Sequence, residues 1–294
     1  MNRDEFKLVN LREGGRLAYA EYGAANGIPV FFFHGWPSSR IMAELTQNAA
    51  CELGVRIISP DRPGIYDSTF QRNRRLIDWP ETFEQLADHL QLERFCILAI
   101  SGGAPYAYVV AWKSPQRVRA IAVASGAPPI AELQDRQGLL WLYRLLLHCH
   151  QKYPRFSRIG FHLARPFLSL RPPLSARPLF LKSLRLQPCD AEALRDSAAF
   201  EACFESQRRA WRASSAGVLA DAEIHAQPWG FRLEDVNVPV RLWHGKQDRA
   251  FSFRLVEQIA PRLPNCAAHF IDNEGHFSLP IRHMREILAD LIAV

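Results

Sequence analysis

A chain of 294 residues can bury a large core and has room for a domain that carries an inserted subdomain. Hydrophobic residues make up 48% and charged residues 22%, as in soluble globular proteins, and no apolar run reaches the roughly 18 residues that a membrane span needs. The net charge of +6 comes from one segment, 136–189, which holds ten basic and no acidic residues.

Strands and helices alternate along most of the chain. The strands appear as apolar runs and the helices as segments with apolar residues three and four positions apart. The predicted strands are 6–11, 16–22, 28–33, 55–60, 95–100, 118–125, 238–245 and 267–271. The predicted helices are 39–51, one that opens at Pro80, 104–112, 252–262 and 280–291. This alternation predicts an α/β fold with a mostly parallel eight-stranded sheet covered by helices on both faces.

The alternation stops between 128 and 231, where we find no strong strand and where prolines divide several helical stretches. An insertion of this length, followed by the return of the same pattern, predicts a helical cap over the ends of the strands. We therefore divide the chain into a first core part (1–127), a helical cap (128–231) and a second core part (232–294).

The six cysteines are scattered without a Cys-x-x-Cys pair, and Cys96 lies in a predicted buried strand. This pattern favours a reduced protein over a disulfide framework or a cysteine metal site. Residues 1–7 carry charges where a signal peptide needs an apolar core. We expect a cytoplasmic protein without an export signal.

The residues that follow the predicted strands are chemically useful, because ligands of open α/β sheets bind at the carboxyl ends of the strands. Ser101 lies between strand 95–100 and helix 104–112, on a tight turn flanked by small residues. Such a turn holds the hydroxyl clear of the sheet, beside the N–H groups of the helix start, which suits a nucleophile. Alternatively, Ser101 only caps the helix.

Asp248 and His276 follow the last two predicted strands, so the chain order is Ser, Asp, His. A serine needs a neutral imidazole to accept its proton, and the imidazole needs a carboxylate that fixes its tautomer. We predict Ser101 as the nucleophile, His276 as the general base and then acid, and Asp248 as the orienting carboxylate; Asp248 could instead cap the following helix. The backbone N–H groups of Trp36 and Gly102 are the predicted oxyanion hole.

These motifs resemble the α/β-hydrolase family from about residue 28 to residue 292. The matching stretches are His34-Gly35-Trp36-Pro37, Asp61-Arg62-Pro63-Gly64, Ala99 to Gly103, the Gly-x-x-Asp that ends at Asp248, and Gly275-His276. Two positions depart from the family pattern: Ala99 replaces the first glycine of the nucleophile motif, and Tyr66 stands where the second loop usually continues into glycine. The resemblance implies a hydrolase fold and an ester-like substrate. A serine nucleophile, rather than the aspartate of epoxide hydrolases and haloalkane dehalogenases, implies acyl-enzyme chemistry.

We therefore predict a serine hydrolase of the carboxylesterase type that cleaves a small or medium carboxylic ester, a thioester or a lactone, with no cofactor and no metal. The alternatives on the same site are an acyltransferase, a cofactor-free perhydrolase and a small-molecule sensor with low turnover. We expect His34, Asp61 and Arg62 to stabilise loops rather than to carry protons.

The cap must supply specificity. Its apolar helix at 139–147 either packs on the sheet or lines an acyl pocket, and the indole of Trp36 is expected to narrow the acyl side. The basic residues either form a solvated face or attract an anionic partner: a coenzyme A thioester, an acidic carrier protein or a membrane surface. No nucleic-acid-binding motif accompanies the charge, so we expect no nucleic acid.

Overall fold

A computed structural model of the protein describes residues 5–171, 175 and 177–294. Residues 1–4 of the charged segment 1–7, and residues 172–174 and 176 of the predicted cap, lie outside the described residues. The strands are β1 (Lys7–Asn10), β2 (Arg16–Gly23), β3 (Ile28–Phe33), β4 (Val55–Pro60), β5 (Phe95–Ile100), β6 (Val118–Ala124), β7 (Val240–Gly245) and β8 (Cys266–Ile271). They form one sheet in the order β1-β2-β4-β3-β5-β6-β7-β8.

The sheet is mostly parallel, as predicted. Strand β2 runs antiparallel to β1 and to β4, and every other neighbouring pair is parallel. Both faces of the central strands are buried, which explains their continuous apolar sequences. In β3, for example, Phe31 and Phe33 belong to one core cluster, whereas Val30 and Phe32 belong to the cluster on the opposite face.

Helices cover both faces. The α-helices are α1 (Gln47–Glu52), α2 (Trp79–His89), α3 (Ala104–Lys113), α4 (Trp141–Lys152), α5 (Pro154–Leu168), α6 (Arg177–Ser183), α7 (Pro188–Ala193), α8 (Ser197–Ala213), α9 (Ser215–His225), α10 (Phe253–Val256), α11 (Ser278–Arg282) and α12 (Met284–Ile292). Helices α2 and α3 pack on one core cluster and α1 and α12 on the other. The sheet and its helices thus confirm the predicted α/β fold.

Three predicted helices are less regular than expected. The helix predicted at 39–51 starts as a 3-10 helix, Arg40–Thr46, in which the Arg40 carbonyl accepts a hydrogen bond from the Ser59 hydroxyl (3.1 Å). The helix predicted at 252–262 is α-helical only in α10, and Ala260–Arg262, which contain Pro261, form a 3-10 helix. The last helix divides into α11 and α12 at His283, whose φ of −107° and ψ of 16° leave the helical range.

The described residues between β6 and β7 form helices α4 to α9, which contact the core beside the sheet's carboxyl edge. The Trp36 indole N–H donates to the Val218 carbonyl of α9 (2.8 Å). Gly217 of α9 lies so close to Gly64 that a Cβ at position 217 would overlap the Gly64 carbonyl.

In the part of the chain that the structure describes, no helix combines the length and apolarity needed to cross a bilayer. All six cysteines are free thiols.

Candidate active site

Ser101 stands at the turn between the central strand and the helix that follows it. Strand β5 ends at Ile100, Ser101 opens a 3-10 turn, and α3 begins at Ala104. The φ of Ser101 is +53°, a left-handed conformation that costs a non-glycine residue on the order of 1–3 kcal/mol. Close packing holds this turn, because a Cβ at Gly103 would overlap the Phe33 carbonyl. The strained turn points the Ser101 hydroxyl toward His276.

The three residues of the predicted triad are joined by hydrogen bonds. The His276 Nε2 atom lies 3.0 Å from Ser101 Oγ, and His276 Nδ1 lies 2.8 Å from Asp248 Oδ2. The other oxygen of Asp248 accepts the N–H groups of Ala250 (2.7 Å) and Phe251 (3.0 Å). Asp248 therefore contacts the His276 imidazole and also holds the turn between β7 and α10; it does not cap α10, whose N-cap residue is Ser252.

The electrostatic interaction between Asp248 and His276 favours His276 as a base. Burial alone would lower the pKa of His276, but the charge and hydrogen bond of Asp248 raise it above its ordinary value. Burial would likewise raise the pKa of Asp248, but its interaction with His276 holds it below the ordinary range. Asp248 is therefore ionised at neutral pH and stabilises a positive charge on His276.

The predicted oxyanion hole lies next to Ser101. The Trp36 amide nitrogen is 3.0 Å from the position that a Cβ of residue 102 would occupy, and the Trp36 Cβ is 2.8 Å from it, so only glycine fits at position 102. Among the described residues, the Trp36 N–H has no hydrogen-bond acceptor. The two predicted donor residues are therefore close neighbours, and Gly102 directly follows Ser101 in the chain.

A buried ion cluster holds the loop that carries Trp36. Arg62 donates to the carbonyls of His34 (2.6 Å) and Gly35 (2.8 Å), and its Nε donates to Asp221 of α9 (2.7 Å).

Asp221 also accepts hydrogen bonds from Arg74 and from Tyr106. Burial would raise the pKa of Asp221, but the two guanidinium groups hold it well below its usual range. The predicted stabilising role of Arg62 is confirmed.

His34, which we predicted to stabilise its loop, has structural contacts. His34 is buried with its Nδ1 atom 3.0 Å from the Gly35 carbonyl, and burial together with the Arg62 charge lowers its pKa well below the ordinary value.

Tyr66 adopts the left-handed φ (+46°) that favours glycine. The Arg40 guanidinium lies over its ring, and its hydroxyl accepts a hydrogen bond from Arg209 (2.9 Å). These contacts explain how the loop tolerates a tyrosine where the family pattern has glycine.

Asp190 is a functional residue that sequence reasoning missed. It lies on α7, and its carboxylate accepts the backbone N–H groups of His276 (3.2 Å), Phe277 (2.8 Å) and Ser278 (2.8 Å). A Cβ at Gly275 would come within 2.5 Å of this carboxylate. The helical insertion thus fixes the loop that carries the His276 imidazole. An aspartate in the first turn of a helix is common, so its sequence gave no sign of this contact.

His225 was also missed. This last residue of α9 is buried, and its Nε2 atom has no hydrogen-bond partner among the described residues. The Nε2 atom lies 3.0 Å from the position of a Cβ at residue 102. Burial lowers the pKa of His225 to about 4, an effect that Asp221 only partly offsets. His276, unlike His225, is hydrogen-bonded to a carboxylate, the partner that orients a general base.

Ser101 lines two adjoining cavities. A small cavity of about 70 Å³ is lined by Gly102, Tyr143 and His225, among others. A cleft of about 1050 Å³ is lined mainly by apolar side chains of α4, α5 and α8, and also by His276. Leu146 of α4 lines both cavities, so the predicted apolar helix at 139–147 contributes to the pocket. Trp36 lines both cavities as well, as does Ser101.

Comparisons with known proteins point to one fold. A family model described as the alpha/beta hydrolase fold matches residues 28–281. The uncharacterized hydrolase YcgS of Bacillus subtilis (strain 168) is 28% identical over 196 residues, which cover 62% of this chain and 64% of that protein. The non-heme chloroperoxidase of Streptomyces lividans is 29% identical over 129 residues, which cover 43% of this chain and 47% of that protein. The matched regions thus span about half to two thirds of these curated relatives. The solved esterase from Exiguobacterium antarcticum has a TM-score of 0.68 at 18% identity, with 98% of each chain covered, a likeness in fold.

Proposed function

The chain belongs to the alpha/beta hydrolase fold family, and on that premise we propose that it is a serine hydrolase that cleaves carboxylic esters through an acyl-enzyme. The observation that carries this proposal is the pair of hydrogen bonds from Ser101 to His276 (3.0 Å) and from His276 to Asp248 (2.8 Å). Nucleophile, base and orienting carboxylate are the parts that acyl transfer by serine requires. The esterase name of a fold neighbour is consistent with this activity.

The proposed reaction has two halves. Ser101 Oγ attacks the ester carbonyl carbon while its proton passes to His276 Nε2, and the N–H groups of Trp36 and Gly102 bind the resulting oxyanion. His276 then gives the proton to the departing alcohol oxygen as the C–O bond breaks, which leaves the acyl group on Ser101. A water molecule then attacks the acyl carbon while His276 takes its proton. The bond between the acyl carbon and Ser101 Oγ breaks, His276 returns the proton to Oγ, and the carboxylic acid is released.

The two cavities define the kind of ester. Both cavities adjoin Ser101 and Trp36, so we infer that each substituent of the reacting carbonyl occupies one of them. The small cavity accepts a short group, and the cleft accepts an extended apolar chain because most of its lining is hydrocarbon. We infer a preference for esters that combine one short group with one apolar group of medium or greater length.

A fluorophosphonate probe tests the proposed nucleophile without knowledge of the substrate. The probe phosphonylates a serine, with loss of fluoride, where a base and an oxyanion hole activate its hydroxyl. We expect a single adduct, which peptide mapping by mass spectrometry places on Ser101. Prior incubation with a medium-chain p-nitrophenyl ester should slow the labelling. An adduct on another serine, or no adduct under conditions that label a known serine esterase, would contradict the proposal.

The pH dependence of ester hydrolysis reports the state of His276. The reaction needs the neutral imidazole, and Asp248 raises the pKa of His276 above the ordinary value of 6.5. We therefore expect kcat/KM to fall as the pH decreases, with the half-maximal point above about pH 6.5. His225 has a pKa of about 4, so it stays neutral near pH 6.5 and does not add a second change to the pH profile of kcat/KM there. A profile that stays flat down to pH 5 would argue against His276 as the base.

A second candidate uses the same acyl-enzyme. In a cofactor-free perhydrolase, hydrogen peroxide replaces water in the second half of the reaction and a peracid is released. The likeness to a non-heme chloroperoxidase over 129 residues favours this candidate. Product analysis in the presence of hydrogen peroxide distinguishes a peracid from the carboxylic acid.

A further inference from the structure

The exposed apolar side chains of the protein are concentrated in one segment. Apart from Phe6, Leu8 and Phe70, every large hydrophobic side chain that is exposed among the described residues lies between positions 141 and 184. Scattered exposed apolar residues are normal, but a concentration in one segment marks a surface that contacts another body. Helices α4 and α5, which pack together as a hairpin, carry most of them.

Helix α5 has two different apolar sides. Phe161, Ala164 and other residues on one side line the cleft beside Ser101. Ile159, Leu163 and Phe167 follow one another at four-residue intervals, do not line the cleft, and are 54%, 64% and 77% exposed. We call these three residues the outer stripe. Residues four apart lie on one helix face, so the outer stripe is a continuous apolar surface that the fold of this chain leaves uncovered.

Basic residues accompany the outer stripe. The segment 136–189 holds ten basic and no acidic residues. Some of them have partners, such as Arg158, which pairs with Glu223 (3.3 Å). Arg144, Lys152 and Arg155 are different, because none of them has an ion-pair partner within the described ranges. The surface around α4 and α5 therefore combines exposed hydrocarbon with unneutralised positive charge.

The combination of exposed hydrocarbon and positive charge indicates what kind of partner binds the surface of α4 and α5. A second copy of the chain bound through the same face in a symmetric dimer would place positive charge against positive charge, which opposes association. An anionic lipid surface satisfies both features, because the acyl boundary accepts the apolar side chains and the headgroups accept the basic ones. We propose that the α4–α5 hairpin docks on anionic membranes, with the outer stripe in the headgroup boundary and Lys152 and Arg155 on the headgroups.

Docking gives the cleft a role in substrate entry. The helices that rest on the lipid also form the cleft wall, to which Leu142, Phe156 and Leu168 contribute. An apolar ester dissolved in the membrane then reaches Ser101 along these two helices. This consequence rests on the proposed function, whereas the docking itself does not.

Vesicle sedimentation tests the docking without any measurement of activity. The full chain is mixed with vesicles of phosphatidylcholine alone or of phosphatidylcholine and phosphatidylglycerol in equal parts. We expect the chain to pellet with the anionic vesicles, to stay in solution with the neutral ones, and to be released by high salt. The variant Lys152→Glu/Arg155→Glu should bind the anionic vesicles at least about ten-fold more weakly. Leu163→Gln/Phe167→Gln should weaken binding as well, because it removes the apolar contact.

The controls separate the docking from charge alone and from self-association. Arg285→Glu changes an exposed arginine of α12, outside segment 136–189, and should bind like the natural chain. Equal binding to neutral and anionic vesicles, or equal losses in Arg285→Glu and Lys152→Glu/Arg155→Glu, would overturn the proposal. So would the absence of binding, or a dimer by sedimentation velocity that dissociates in Leu163→Gln/Phe167→Gln. Because sedimentation needs no turnover, failure of docking is distinguishable from failure of the proposed function.

Discussion

Replacement of Ser101 by alanine should reduce kcat/KM for ester hydrolysis by about 10⁴-fold or more. The substitution removes the atom that forms the acyl-enzyme and leaves His276 without the proton donor at 3.0 Å. The oxyanion hole and the cavities remain, so a small residual rate is expected rather than none. Initial rates with a medium-chain p-nitrophenyl ester measure the effect. Fluorophosphonate labelling should disappear in the same variant.

Ser125 provides a matched control for this substitution. Like Ser101, it follows a central strand, is buried and has a left-handed φ (+50°). Its hydroxyl has no hydrogen-bond partner among the described residues, so no base activates it. We expect Ser125→Ala to keep most of the activity and Ser101→Ala to unfold at nearly the same temperature as the natural chain. Similar losses in both variants would show that the Ser101 effect comes from the fold of the strand ends and not from a missing nucleophile.

The sequence predicts the sheet and the triad because both leave local signals. A strand buried on both faces must be apolar throughout, and β3, β4 and β5 have the predicted bounds. Parallel strands bring their carboxyl ends to one edge, so Ser101, Asp248 and His276 could be expected to meet although they are far apart in the chain. The rule that functional residues of this fold lie at the carboxyl ends of the strands thus predicts that the three residues meet, without information on their individual contacts.

The contacts between the helical insertion and the core leave weaker signals. Asp190 resembles any acidic residue near a helix start, and only the three-dimensional packing shows that it holds the His276 loop. His225 has no motif at all. Asp221 did leave a signal, since a carboxylate within the apolar run 216–222 must find a partner when the run is buried. Its partners, Arg62 and Arg74, come from distant segments and cannot be identified from spacing.

The partners of Asp221 make it the connection between the helical insertion and the oxyanion hole. Asp221 is fully buried on α9, and the side chains of Arg62 and Arg74 that it neutralises are also almost completely buried. Arg62 in turn holds the carbonyls of the loop that presents the Trp36 N–H. A charge cluster of this kind adds little stability over an apolar core of the same shape, but loss of one member leaves the others buried and unpaired.

Replacement of Asp221 by alanine should therefore reduce the free energy of unfolding by about 3–5 kcal/mol. It should also lower kcat/KM, because Arg62 loses the carboxylate that orients it against the oxyanion loop. Urea unfolding followed by circular dichroism measures the first effect, and ester hydrolysis well below the unfolding midpoint measures the second. Asp88 is the matched control, since it also pairs with two arginines but is about half exposed, so Asp88→Ala should cost no more than about 1 kcal/mol. If the two variants unfold at the same urea concentration, burial adds nothing to the cost of breaking the cluster. If Asp221→Ala is unstable but keeps full kcat/KM, the loop that carries Trp36 does not depend on Arg62.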